Sequence, residues 1–356
     1  MKFLRCQNIP PPTGKRVAII GAGPAGLGAA GVLRCRGHDV IVFDMLPEAG
    51  GMMFFGIPDD RINKEKIRAS VRELMDAGVR FVLNTKVGRD IPLGKIIESF
   101  DAILIATGTW RTRRLDVPGE DLPWVLQAAE WLVEVHMARY GHIPWGEVVK
   151  PKGRILVVGA GLTAADIVAV LLTYHEFKSG VEEVVLSYRR TRELAPMRLS
   201  EFERLEKLGA KIWELTQPIA FYEKDGSRVT RFIKMKLEKV AGEKRPKPQP
   251  IPGSEFEEEF DYVFKAIGEE PTPPFEPGEY GIELNPDGTI KTNEHFMTTR
   301  EKVFAAGDVK HGPSLIGPAL KSGLDVAQKI HEYLTGLITW KLKPANIVAH
   351  LIKQPP

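Results

Sequence analysis

The sequence predicts an α/β protein built from two parallel-sheet units. Two stretches carry this expectation, "RVAIIGAGPAGLGAA" from Arg16 and "RILVVGAGLTAADIVAVLL" from Arg154, each reading as strand, glycine turn and helix. A chain of 356 residues is also long enough for two ordinary domains, each with its own core.

"RVAII", Arg16 to Ile20, is a β-branched run of the kind found in buried parallel strands. Gly21, Gly23 and Gly26 follow in the G-x-G-x-x-G pattern, with Pro24 and Ala25 between the last two. The first glycine permits a tight turn, the second lets a pyrophosphate approach the backbone, and the third lets helix and strand pack closely. A helix is expected from Pro24 to Arg36, with Gly37 as its stop. Its N-terminal amides would face the phosphates. The next strand, Asp39 to Asp44, ends in an acid 18 residues after Gly26, where a carboxylate accepts hydrogen bonds from a ribose diol.

The second stretch repeats the layout with Gly159, Gly161 and, in the third place, Ala164. Its following strand, Glu182 to Arg190, ends in Tyr188, Arg189 and Arg190, with Arg192 close behind. Guanidinium groups at this point bind a 2′-phosphate, which a carboxylate would repel. The second site therefore reads as a site for NADP(H); the competing reading of these arginines is a solvated basic face. Two unlike dinucleotide sites imply a relay between a mobile nicotinamide and a resident flavin. In such a relay the protein supplies orientation rather than acid–base residues. No residue is assigned as catalytic and no metal-ligand set is expected.

Composition is that of an ordinary globular protein, 43% apolar and 27% charged, and a net charge of +3 gives no reason to expect nucleic acid as a partner. No signal peptide is expected at the N-terminus. The most apolar window, Ile155 to Tyr174, has the length of a membrane span, but Asp166 and two glycines interrupt it and the strand–turn–helix reading accounts for it. The two cysteines, Cys6 and Cys35, are far apart and form no C-x-x-C, which predicts no disulfide framework and a reducing cytoplasm. They are also too few for an iron–sulfur cluster. His136, His142, His295 and His311 show no ligand spacing and are expected on the surface or in loops, with His311 kept open as a neighbour of the segment described next.

"KVFAAGDVKHGPSLIGPALKSGLDVAQKIHEYL", from Lys302, places a short apolar strand ending in Gly307 and Asp308 and a helix over Pro318 to Leu334. It resembles the flavin-closing segment of flavoproteins with two dinucleotide-binding domains. Ile103 to Gly108 and Val263 to Gly268 are shorter echoes of it. Together with "GGMMFFGIPDDRINKEKI", "IATGTWRTRRLDVPGEDLP", "YRRTRELAPMR" and "IPGSEFEEEFDYVFKAIGEEP", these stretches make the chain, from Val17 to Leu334, resemble a known family. That family is the small, flavin-bearing subunit of NADPH-dependent glutamate synthase, with its relatives in ferredoxin:NADP oxidoreductases and dihydropyrimidine dehydrogenase.

The resemblance implies a two-Rossmann architecture with the NADPH domain inserted into a discontinuous FAD domain. The FAD domain would comprise residues 1–115 and 294–337, the NAD(P)H domain 116–293, and a tail 338–356 would follow. "LDVPGEDLP" and "NPDGTIKTNEH" would be the crossing linkers, and Val240 to Phe260 an exposed hairpin or loop. Cofactor contacts are implied at Gly50, Gly51, Met52, Gly56, Ile57, Val87, Ala106, Thr107, Gly108, Leu162, Thr163, Gly268, Ser314, Leu315 and Ala319, beside the glycines, Asp44, Arg189, Arg190, Gly307 and Asp308 already named.

The expected function is transfer of hydride from NADPH to FAD, with electrons passing on to an iron–sulfur or ferredoxin-like partner or a glutamate synthase-type large subunit. The alternatives are a free-standing NAD(P)H diaphorase or quinone reductase, and a flavin-binding redox or scaffold subunit with a degenerate NADPH site. The chain departs from the family pattern in lacking its cysteine-rich N-terminal domain, about sixteen residues preceding the first strand. Leu162, Glu269 and Leu324 also stand where asparagine, glutamine and arginine are usual.

Overall fold

A computed structural model describes residues 2–239, 242 and 245–338. The described residues divide into two compact units, one within 2–51, 65–108 and 271–338 and the other within 52–64 and 109–270.

In the first unit β1 (Arg16–Ile20), α1 (Pro24–Arg34) and β2 (Asp39–Phe43) form the expected β-α-β start. A short α2 (Met52–Phe55), which groups with the second unit, and α3 (Lys64–Asp76) lead to β3 (Arg80–Val82), α4 (Leu93–Ser99) and β4 (Ala102–Ile105). After the second unit, the chain returns with β16 (Val303–Ala305), α9 (Asp308–His311) and α10 (Ile316–Leu334). The sheet is all parallel, in the order β16-β4-β1-β2-β3. Ala18, Ile20, Ile41, Ile103 and Ile105 point to one face, where Phe275, Ile282 and Ile290 join their core. Helix α10 crosses α1 closely: a Cβ on Gly323 would lie 2.0 Å from the Ala25 carbonyl oxygen, so only glycine allows the approach.

The second unit holds β5 (Thr109–Thr112), β6 (Val125–Gln127), α5 (Ala128–Arg139), β7 (Gly153–Val158), α6 (Leu162–Thr173), α7 (His175–Lys178), β8 (Val181–Tyr188), α8 (Leu199–Lys207) and β9 (Lys211–Glu214). Its parallel sheet runs β6-β14-β7-β8-β9, with β14 at Tyr262–Lys265. Helices α5 and α6 cover one face through Trp131, Val135, Ile167 and Leu171. On the other face Phe221 and Phe232 pack on Leu156, Val185 and Val263. Those two phenylalanines come from an antiparallel sheet of β10 (Thr216–Lys224), β11 (Ser227–Glu238), β12 (Lys247–Pro250) and β13 (Phe256–Glu259). Strand β15 (Glu269–Pro271) pairs with β5.

Several expectations need correcting. "LDVPGEDLP" is no linker: Glu120 within it is buried and ion-paired with buried Lys265 at 3.1 Å, inside the second unit. "NPDGTIKTNEH" belongs to the first unit, because Ile290 sits in that core. Residues 109–115 group with the second unit and 271–293 with the first, so the chain crosses at β5 and β15. The stretch Val240 to Phe260 does agree with the exposed hairpin or loop expected of it: it returns antiparallel along β11 as β12 and then β13, and Phe256 stacks on Phe232. Its residues 240, 241, 243 and 244, and the tail from 339, lie outside the described residues.

Cys6 and Cys35 are joined by a disulfide. Distance along the chain misled here. The N-terminal arm lies along α1, where Phe3 is fully buried and a Cβ on Gly31 would meet the Phe3 carbonyl oxygen at 2.2 Å. This sets Cys6 beside Cys35 at the C-terminal cap of α1 and removes the thiol-based ground for a reducing compartment. No helix among the described residues is long and apolar enough to cross a membrane.

Candidate dinucleotide sites

The two glycine turns have the same construction. A Cβ on Gly21 would lie 2.3 Å from the Ala106 carbonyl oxygen, and one on Gly159 would lie 2.1 Å from the Ala266 carbonyl oxygen. Each turn is thus pressed against the strand next to it, β4 or β14. A Cβ on Gly26 would meet the Gly21 carbonyl oxygen at 1.9 Å, whereas the second turn tolerates Ala164, fully buried, at the equivalent place. Gly23 and Gly161 differ from the others: a Cβ on either would meet nothing within 4 Å. Both are N-caps of long helices without side-chain capping bonds, with helix amides directed at this open space. The backbone is therefore open where each pyrophosphate is expected.

Around the first turn, Asp44 is buried and accepts hydrogen bonds from the Ala22 amide at 2.5 Å and the Leu46 amide at 2.8 Å. Burial pushes its carboxyl above the usual range, and these amides pull the other way. The Gly50 amide donates to the Ala22 carbonyl at 2.9 Å, and a Cβ on Gly51 would stand 3.0 Å from the Gly23 Cα. Ala106, Thr107 and Gly108 follow β4; Thr107 Oγ1 donates to the Thr272 carbonyl at 2.7 Å. Gly307 has φ +71° and donates to Ser322 Oγ, while Ser314 Oγ donates to Asp308 Oδ1 at 2.6 Å. Asp308 opens α9 rather than ending a strand. Leu315, the N-cap of α10, is exposed and Ala319 is buried. Val87 lies in the core of this unit.

Around the second turn, Leu162 is the first residue of α6 and is exposed; Thr163 Oγ1 donates to Glu269 Oε1 at 3.2 Å. Arg189 and Arg190 follow β8 as expected. Arg190 Nε donates to the Pro246 carbonyl at 3.4 Å. Arg192 is committed elsewhere, bonded to Glu214 at 2.7 Å and Glu206 at 3.2 Å. Gly268, with φ +101°, follows β14.

Met52, Gly56 and Ile57 group with this second unit, not with the first. Their segment is anchored by ions that no local pattern announced. Arg61 Nε lies 2.7 Å from Asp166 Oδ1 on α6, and its terminal nitrogen bonds Glu201 on α8. Lys64 Nζ donates to the Met53 carbonyl at 2.8 Å, and Arg139 on α5 holds Asp59 at 2.9 Å. His136, expected at the surface, is fully buried on α5, its Nδ1 2.8 Å from the Phe55 carbonyl oxygen. Burial, then the Lys64 charge, lowers its pKa to about 4.

The fold and the paired turns define a flavoprotein-type reductase with two dinucleotide-binding units. The solved structure of Mycobacterium tuberculosis FprA in complex with NADPH shares this fold, with a TM-score of 0.78 over 94% of this chain and 89% of that one at 21% identity. The chain belongs to the pyridine nucleotide-disulphide oxidoreductase family, whose pattern matches residues 15–323, and within it to the glutamate synthase small-chain group. It is 34% identical to the glutamate synthase [NADPH] small chain of Halomonas elongata over 90% of this chain and 68% of the relative. It is 31% identical to the NADPH-Fe(3+) oxidoreductase subunit beta of Geobacter sulfurreducens, over 91% of this chain and half the length (50%) of that protein. The chain is an NAD(P)H-dependent FAD oxidoreductase.

Proposed function

We propose that this chain takes hydride from NADPH at the second glycine turn, holds FAD at the first, and delivers electrons to a partner protein. The observation that carries the reading is the contrast between two turns of one construction: the strand after the first is followed by Asp44, and the strand after the second by Arg189 and Arg190. FAD, when bound, supplies acceptance of a hydride and release of electrons one or two at a time. The chain's own work is positional. Gly23 and Gly161 leave room for the pyrophosphates, Asp44 stiffens the first turn and offers its remaining lone pairs to a ribose, and the two guanidiniums select the 2′-phosphate. Asp308, fixed by Ser314, meets the ribityl side of FAD.

The partner is an iron–sulfur or ferredoxin-like protein, or a glutamate synthase-type large subunit, in a cytoplasmic complex. The names of two relatives support a subunit role, one being called a small chain and the other a subunit beta. Two cysteines tied in a disulfide leave none of the chain's own thiols to ligate a cluster that would receive those electrons. Anaerobic turnover with proteins that copurify from the native source tests this. Electron delivery to a copurifying iron–sulfur protein is the expected result. Reduction of a native small-molecule acceptor by the isolated chain, as fast as NADPH reduces its flavin, would favour the diaphorase reading instead.

A further inference from the structure

The second parallel sheet reverses direction at β7. From β7 the chain proceeds outward to β8 and β9 on one side, while β14 and β6 lie on the other. Dinucleotides lie across such a reversal at the carboxyl ends of the strands. With the adenosine phosphate at Arg189 and Arg190 beyond β8, the nicotinamide half falls on the β14 side. Immediately past β14, Glu269 is held by Thr163, the second residue of α6, at 3.2 Å. A carboxylate is thus fixed at the corner where a nicotinamide enters.

Beside this corner Arg111 pairs with Glu270 at 3.0 Å. Arg113 is exposed and turned to the backbone, its Nε 3.4 Å from the Glu269 carbonyl oxygen. Lys265 lies deeper, 2% exposed, and is closed by Glu120 at 3.1 Å.

Resting on the reading that the second turn takes NADP(H), we propose that Glu269 biases the site towards the oxidised coenzyme. NADP+ and NADPH share the 2′-phosphate and pyrophosphate, so whatever Glu269 does to those groups cancels between them. They differ in the ring, cationic in NADP+ and neutral in NADPH. A nearby carboxylate attracts only the first. Tighter holding of NADP+ than of NADPH makes the bound couple more reducing, which drives electrons out of NADPH into the flavin. One charge several ångströms away across partly solvated protein gives roughly a three- to tenfold preference.

The test is calorimetry on the FAD-loaded full chain with three probes: NADP+; tetrahydro-NADP, a redox-inert analogue with a neutral ring; and 2′-phospho-ADP-ribose, which has no ring. Wild-type protein should bind NADP+ about three- to tenfold more tightly than the tetrahydro analogue. Glu269→Gln should bring that ratio near one, Glu269→Asp should restore part of it, and Arg113→Gln should enlarge it. An unchanged ratio in Glu269→Gln, or an equal change for all three probes, overturns the proposal. If Glu269→Gln fails to fold, an unchanged ratio in both Glu269→Asp and Arg113→Gln overturns it too. Wild-type protein that binds none of the three defeats the reading of the second turn itself, and the role of Glu269 with it.

Discussion

The carbonyl oxygen of Gly21 lies 1.9 Å from where a Cβ on Gly26 would stand, so the first turn closes only around a bare α-carbon. Gly23, between them, has an ordinary φ of −77° and open space before it. The two positions should therefore respond differently to a larger side chain. Gly26→Val should destabilise the fold by at least about 1–3 kcal/mol through overpacking. Gly23→Val should leave the melting temperature of the flavin-free protein nearly unchanged and abolish FAD retention. Thermal melts and chromatography of the released cofactor read both effects.

Both glycine turns were legible in the sequence because their chemistry is local: strand, glycines, helix and terminal residue fall within about thirty positions. The crossing points were not. Turn-rich composition marks a surface bend, not a domain boundary, and "LDVPGEDLP" is held inside the second unit by Lys265, some 145 residues away. The placement of residues 52–64 rests likewise on Arg61 with Asp166 and on Asp59 with Arg139, pairs that no local periodicity reveals. The disulfide has the same cause, since it depends on an arm folding back along α1.

Replacing Arg189 and Arg190 with alanine should raise the NADPH requirement for flavin reduction more than tenfold. Each charged hydrogen bond lost costs about 1.5–3 kcal/mol. The NADH requirement should change little, because NADH carries no 2′-phosphate. Steady-state kinetics with both coenzymes checks the split. Arg192→Ala should affect them equally, because Glu214 and Glu206 already occupy that side chain.

Joint replacement of Cys6 and Cys35 by alanine should lower unfolding stability by about 2–4 kcal/mol. A thiol reductant should destabilise the wild type similarly and the double variant not at all. Flavin reduction and dye reduction should survive in both, since the disulfide sits at the end of α1 away from its glycine turn. Lost activity with FAD still bound would bring a thiol into the electron path.

His136 should make stability pH-dependent. Its folded pKa, lowered from 6.5 to about 4, means the unfolded chain binds the extra proton first on acidification. Its contribution is fully present above pH 6.5 and is lost as pH falls towards 4, about 3 kcal/mol in all. Asp166 acts in the opposite sense. Burial raises its pKa to about 7, against the pull of Arg61, so its folded state takes up a proton that the unfolded state releases. Denaturant unfolding from pH 4 to 7 should therefore show a smaller gain with pH in His136→Gln than in wild type, and a larger one in Asp166→Asn.

The central claim is that one chain holds FAD at the first turn and reads NADPH at the second. Anaerobic mixing of the FAD-loaded protein with NADPH or NADH, followed by the flavin absorbance, tests it most directly. Rapid bleaching by NADPH at low concentration, and slow bleaching by NADH only at much higher concentration, is the expected result. Failure to retain FAD, or bleaching by NADH in preference to NADPH, would contradict it.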